Sequence, residues 1–116
     1  MNAKKILIIE DNYAVAESIS RTIAEAGFAT VGPVDTAAQA ICRIMQDTPD
    51  GALLDVGLRK GSAMAVADAL RERKVPFVIM TAHGRETLPP GLRQVPYLAK
   101  PMTETELIDT VRRTFK

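Results

Sequence analysis

Residues 5–11, Lys5-Ile6-Leu7-Ile8-Ile9-Glu10-Asp11, decide the fold. The apolar run at 5–9 is continuous, as a β-strand covered on both faces requires. It then stops abruptly on two acids. Three later runs end in the same manner. Asp55 closes Gly51-Ala52-Leu53-Leu54, Thr81 closes Pro76-Phe77-Val78-Ile79-Met80, and Lys100-Pro101 follows Val95-Pro96-Tyr97-Leu98-Ala99. If these runs are parallel strands of one sheet, the acids, the hydroxyl and the amine meet at its carboxyl edge. Open α/β sheets place their ligands there. Carboxylates, a hydroxyl and an amine in one place suit a divalent cation and a phosphoryl group.

Between the runs lie longer amphipathic stretches. Val15, Ile19, Ile23 and Ala26 recur at helical spacing, and Gly27 stops them. A second strand is expected from Phe28 to Val34, weakened at its end by Gly32-Pro33. Thr36 with Gln39 reads as a capping box before the stripe Ala37, Ala40, Ile41, Ile44 and Met45. Thr48-Pro49-Asp50-Gly51 reads as a turn. Ala63, Val66, Ala69 and Leu70 mark a third helix. Thr103 with Glu106 caps a last one carrying Leu107, Ile108, Val111 and Phe115. The stretch between Thr81 and Val95 breaks the rhythm with Gly84, Pro89, Pro90 and Gly91. Prolines inside a helix remove hydrogen bonds and clash with the preceding turn, so one short turn or a loop is expected there. The pattern is β-α repeated five times, a doubly wound parallel sheet with right-handed crossovers.

Composition narrows the classes. The 116 residues fit one domain, residues 1–116, with enough chain to bury a core without disulfides. A net charge of +1 offers no argument for nucleic acid or a membrane surface as a direct partner. Aromatic residues are only 4% and Trp is absent, which argues against a base-stacking platform. The single cysteine, Cys42, excludes an internal disulfide and a Cys-rich metal site; it reads as inert helix packing. No apolar run reaches membrane-spanning length, and the first strand is too short for a signal peptide's hydrophobic region. A cytoplasmic protein is expected.

Glu10-Asp11, Asp55, Thr81 and Lys100-Pro101, in that order at strand ends, resemble the receiver domain of bacterial two-component response regulators. The resemblance covers essentially the whole chain, and Tyr97 fits the family's aromatic switch position. It implies a flavodoxin-like five-stranded sheet of order 2-1-3-4-5. Two departures stand out. The stretch Asp55-Val56-Gly57-Leu58-Arg59-Lys60-Gly61 lacks the proline many receivers carry after the acceptor, and the fourth helix is shortened or irregular. With Gly61-Ser62, Ala67-Asp68-Ala69-Leu70 and Val75-Pro76-Phe77, these features look like a subgroup of single-domain receivers with an atypical fourth helix, which often work beside HWE-type sensor kinases. That subgroup's Phe-Ala-Thr-Gly segment is partly kept as Ile79-Met80-Thr81-Ala82.

The resemblance implies a phosphoacceptor that catalyses its own aspartyl phosphorylation and dephosphorylation while serving as a signalling protein. Asp55 accepts the phosphoryl group from a sensor histidine kinase or phosphotransfer protein. Mg²⁺ is held by Asp11, Asp55, Glu10 and the carbonyl of Gly57. Lys100, the Thr81 hydroxyl and the Ala82 amide contact phosphoryl oxygens, and Thr81 with Tyr97 forms the switch. Lys100 is expected to pair with Asp55, and the Lys100-Pro101 bond to be cis. Because the chain stops at Lys116, just after the last helix, no output domain is expected and output passes to a downstream protein.

Plainer readings exist for each residue. Glu10 and Asp11 can cap the first helix, where negative charge suits the dipole; Asp55 can be a turn residue, and Lys100 a solvated loop lysine. His83 can be an exposed loop residue or, with Gly57, can tune water access to the phosphoryl group. A pseudo-receiver that never carries phosphate is the alternative. A small phosphatase is disfavoured because its second Asp would fall at Gly57. Repulsion among the acids leads to the expectation that Asp11→Ala stabilises the metal-free protein.

Overall fold

A computed structural model describes residues 3–116. Five parallel strands form one sheet in the order β2-β1-β3-β4-β5. They are β1 (Lys5–Ile9), β2 (Ala29–Val34), β3 (Gly51–Asp55), β4 (Phe77–Thr81) and β5 (Tyr97–Ala99). The helices are α1 (Tyr13–Glu25), α2 (Ala37–Gln46), α3 (Ala63–Glu72) and α4 (Glu104–Thr114). No helix among the described residues is long and apolar enough to cross a membrane.

The period-2 alternation of the strands makes two cores. Leu7, Ile9, Leu54 and Ile79 pack on α2 and α3, together with Ala40, Ile44, Val66 and Leu70. Ile6, Ile8, Leu53, Val78, Met80 and Leu98 pack on α1 and α4, against Ile19, Ile23, Leu107 and Val111. Burial on both faces explains why β1 and β3 carry unbroken apolar runs.

Local chemistry sets the helix ends. The capping box Thr103–Glu106 forms as expected, with Thr103 Oγ1 accepting from Glu106 N at 3.1 Å and Glu106 Oε1 accepting from Thr103 N at 3.3 Å. At Thr36 only half of the box forms. Gln39 N donates to Thr36 Oγ1, whereas Gln39 Oε1 accepts from Asp35 N, one residue earlier. The first helix is capped by Asn12, whose Oδ1 accepts from Val15 N at 3.1 Å. Glu10 adds to this cap by accepting from the Asn12 N–H, whereas Asp11 is bonded elsewhere.

Two expectations need adjusting. Gly51 reads both as the end of the turn 48–51 and as the start of the run 51–54; it takes the second place, as the first residue of β3. A side chain on it would lie 2.5 Å from the Phe115 ring, so glycine lets the start of β3 pass under the end of α4. As expected, Gly32-Pro33 disturbs the end of β2 without stopping it. The strand continues to Val34 through an irregular register opposite Leu7 and Ile9, with the Gly32-Pro33 bond cis. The strand β5 starts at Tyr97 rather than Val95.

Two short 3₁₀ turns, Arg85–Thr87 and Pro90–Leu92, replace the fourth helix. Each is followed by or contains a leucine that the sheet needs. Leu88 and Leu92 are buried and join the core beneath α3. Burying a leucine is worth about 1.5–3 kcal/mol, which offsets the lost helical hydrogen bonding. Arginines hold the turns down: Arg71 Nη2 donates to the Gly91 carbonyl, and Arg93 Nε donates to the Leu88 carbonyl at 3.0 Å.

Candidate metal and phosphoryl site

Strand register builds the site. Ile9 pairs with Leu54, so Glu10 and Asp55 come level one residue later. Asp55 pairs with Met80 and Thr81 with Ala99, which sets Lys100 beside the end of β4. The Lys100 N–H donates to the Thr81 carbonyl at 2.8 Å, and the Lys100-Pro101 bond is cis.

The alternation of the strands carries past their ends. Glu10 continues the row Ile6-Ile8, Asp55 follows Leu53, and Lys100 follows Leu98, all rows on the α1/α4 face. These three side chains meet. Lys100 Nζ makes a close ion pair with Glu10 Oε1 and lies 3.3 Å from Asp55 Oδ2. The expected Lys100–Asp55 pair thus forms, but Glu10 is the nearer partner. Glu10 also accepts from Asn12 N at 3.1 Å. Its side chain is 1% exposed, and burial lifts its carboxyl above the ordinary range despite the hydrogen bond from Lys100. Burial works against the charge of Lys100 too, but the hydrogen bond to Glu10 and the charges of Asp55 and Glu10 outweigh it and hold the ammonium above its usual value.

Asp11 continues the other row, through Ile9, and so turns toward α2 and α3. There it meets a residue that the motif reading missed. Asp11 Oδ2 accepts from both Arg59 N, at 3.0 Å, and Arg59 Nε, at 3.1 Å. Partial burial raises the Asp11 carboxyl, but these bonds from Arg59 prevail and hold it below the usual range. Arg59 thereby offsets the repulsion behind the expected stabilisation by Asp11→Ala. Asp11→Ala would thus remove the Arg59 pair together with the repulsion. The only sequence signal for this pair was the basic dipeptide Arg59-Lys60 in the loop after β3.

Glu10, Asp11 and Asp55 each bring a carboxylate oxygen within 4.8 Å of the others. Three hard oxygen donors at that separation fit a divalent cation of the magnesium type. The Gly57 N–H donates to Asp55 Oδ1 at 2.9 Å and fixes the carboxylate's orientation. Thr81 is buried, and its hydroxyl donates to the His83 carbonyl at 3.1 Å and accepts from His83 N at 3.0 Å. His83 therefore reaches the site through its backbone; the residue is exposed. Ala82 is exposed at the rim. Tyr97 is half-buried, with the Arg85 guanidinium over its ring at 4.3 Å.

A family model described as the response regulator receiver domain matches residues 6–112. The chain belongs to the response regulator receiver family. Among curated relatives, the receiver resembles the transcriptional regulatory protein KdpE of Staphylococcus aureus, 30% identical over 93% of this chain and 48% of KdpE. It is 25% identical to the transcriptional regulatory protein PdtaR of Mycobacterium tuberculosis over 93% of this chain and 55% of PdtaR. The chain spans about half the length of these relatives. The receiver domain of Erythrobacter litoralis PhyR superposes with a TM-score of 0.84 and 28% identity, covering 97% of this chain and 90% of that one. The receiver domain of the Pseudomonas aeruginosa sensor histidine kinase PA1611, solved with a magnesium ion in its active-site cleft, shares the fold at a TM-score of 0.81. It is 24% identical over 97% of this chain and 98% of that one.

Proposed function

We propose that this receiver takes a phosphoryl group from a histidine kinase or phosphotransfer protein onto Asp55 and signals through a protein partner in the bacterial cytoplasm. The meeting of Asp55 with Lys100 and two further acids at the sheet's carboxyl edge carries the reading. The Asp55 carboxylate attacks phosphorus, forming an O–P bond as the donor's N–P bond breaks and its electron pair returns to the imidazole nitrogen. Gly57 holds Asp55 Oδ1 in place during the attack. Lys100 shifts from the carboxylates toward the incoming phosphoryl oxygens. The Thr81 hydroxyl leaves the His83 carbonyl to donate to another of them, with help from the Ala82 N–H. Glu10, Asp11, Asp55 and the Gly57 carbonyl would hold Mg²⁺, which offsets the charge that otherwise repels the donor. Catalysis of this kind rests on positioning and electrostatics.

An apolar cleft of about 520 Å³ opens beside Ala82 and Lys100, lined by Val15, Ile19, Met102 and Leu107, and gives a donor protein a surface to dock on. The two 3₁₀ turns support placing this receiver with those that serve HWE-type kinases. Movement of Thr81 loosens its tie to His83, and the Tyr97 ring beneath Arg85 then carries the change to a partner.

Phosphoramidate, a small N–P donor, tests the reading by intact mass. A Mg²⁺-dependent gain of one phosphoryl group, absent in Asp55→Asn, is expected. No gain at any Mg²⁺ concentration would instead make the chain a pseudo-receiver.

A further inference from the structure

Asp11 is already in use. Its Oδ2 takes two hydrogen bonds from Arg59, one from the backbone N–H and one from Nε. That oxygen has little to offer a cation, which is left with Oδ1 beside the positive guanidinium. We propose that Arg59 is a latch that competes with the divalent cation for Asp11, and so sets how much magnesium the site needs. The proposal rests on the assignment of Asp11 as a metal ligand.

The latch is built to open. The Arg59 side chain is 80% exposed and contacts Asp11 through Nε alone, not through a two-pronged fork. An exposed pair of this kind shifts an equilibrium by about two- to fivefold. Its positive charge also repels a divalent cation at the same carboxylate, and that repulsion is screened by salt.

The loop that carries Arg59 does not depend on the latch. On one side, Gly57 N is bonded to Asp55. On the other, Ala37 N donates to the Lys60 carbonyl at 3.0 Å. Gly61 has φ +92° and lies against Ala37, where a side chain would come within 2.5 Å of its Cβ. Ser62 then caps α3, accepting from Ala65 N. The Arg59 side chain can swing out while the loop stays anchored at both ends. The neighbouring pair is more enclosed: Glu10 is bound by Lys100 with a side chain only 1% exposed.

Calorimetric titration of the full chain with Mg²⁺ tests the latch. Arg59→Ala is expected to tighten Mg²⁺ binding by about three- to tenfold, combining the lost pair and the lost repulsion. Arg59→Lys keeps the charge without Nε and should fall between. The gap between parent and Arg59→Ala should shrink as salt is raised, and it should vanish on an Asp11→Asn background. Should Arg59→Ala fold poorly, Arg59→Gln removes the charge while keeping the length, and it should bind Mg²⁺ more tightly as well. Equal or weaker binding in the charge-removed variant overturns the latch alone. Absence of Mg²⁺ binding in parent and variant overturns the metal assignment, and the latch with it.

Discussion

Glu10 and Asp11 are neighbours in sequence, each acidic and each paired with a base from a different loop, yet the two pairs behave oppositely. Glu10 turns to the α1/α4 face and meets Lys100, with side chains 1% and 21% exposed. Asp11 turns to the α2/α3 face and meets Arg59, with side chains 14% and 80% exposed. The buried pair sits where desolvation is costly, and breaking it strands a charge. The exposed pair is weak enough to be displaced. The alternation of one β-strand has divided two like residues into a buried tie, costly to break without a replacement partner, and an exposed, adjustable one.

Breaking the buried pair should have the largest effect. Lys100→Ala leaves Glu10 buried beside Asp55 without its cation and should cost about 2–4 kcal/mol in urea unfolding, somewhat below the fully buried case because Lys100 is partly exposed. Adding Glu10→Gln should restore part of that loss. A cost within experimental error would mean that the tie is not structural. Next comes the cation: saturating the parent at a hundredfold over its dissociation constant should add about 2.7 kcal/mol, seen as a higher melting temperature. A melting curve indifferent to Mg²⁺ would remove the metal from the site.

Breaking the exposed pair should matter least. Without metal, Asp11→Asn should cost no more than about 1 kcal/mol. The two acids should also respond to pH with opposite sign. The Asp11 carboxyl lies below its ordinary 3.8 when folded, so its contribution is present above 3.8 and is lost as pH falls through the lower folded value. The Glu10 carboxyl lies above its ordinary 4.5, so its contribution is present below 4.5 and fades as pH rises through the higher folded value. Stability profiles of parent against Asp11→Asn and against Glu10→Gln should therefore diverge at opposite ends of the acid range. Profiles of the same sign would show that the two environments are alike.

Much of this was legible before the structure. The apolar runs 5–9, 51–54 and 76–80 identified β1, β3 and β4, because strands buried on both faces leave no polar residue to blur their ends. Asp55 and Thr81 stood out by closing two of those runs, and Lys100 by following the run 95–99. The pairings did not follow. Which base serves Glu10 and which serves Asp11 depends on the face each side chain takes and on a loop bonded through its backbone, as at Ala37–Lys60. Gly51 read as both a turn end and a strand start because its reason for being glycine, the Phe115 ring, lies sixty-four residues away in sequence. Leu88 and Leu92 were hidden by the prolines around them, since irregular turns have no period to display a buried face.

Borohydride trapping tests the central claim most directly. After treatment with phosphoramidate and Mg²⁺, reduction converts an aspartyl phosphate to homoserine, and peptide mass spectrometry locates it. The account predicts homoserine at position 55 in the parent and none in Asp55→Asn or in untreated protein. Homoserine at Asp11 or elsewhere, or at no position in the parent, would contradict it.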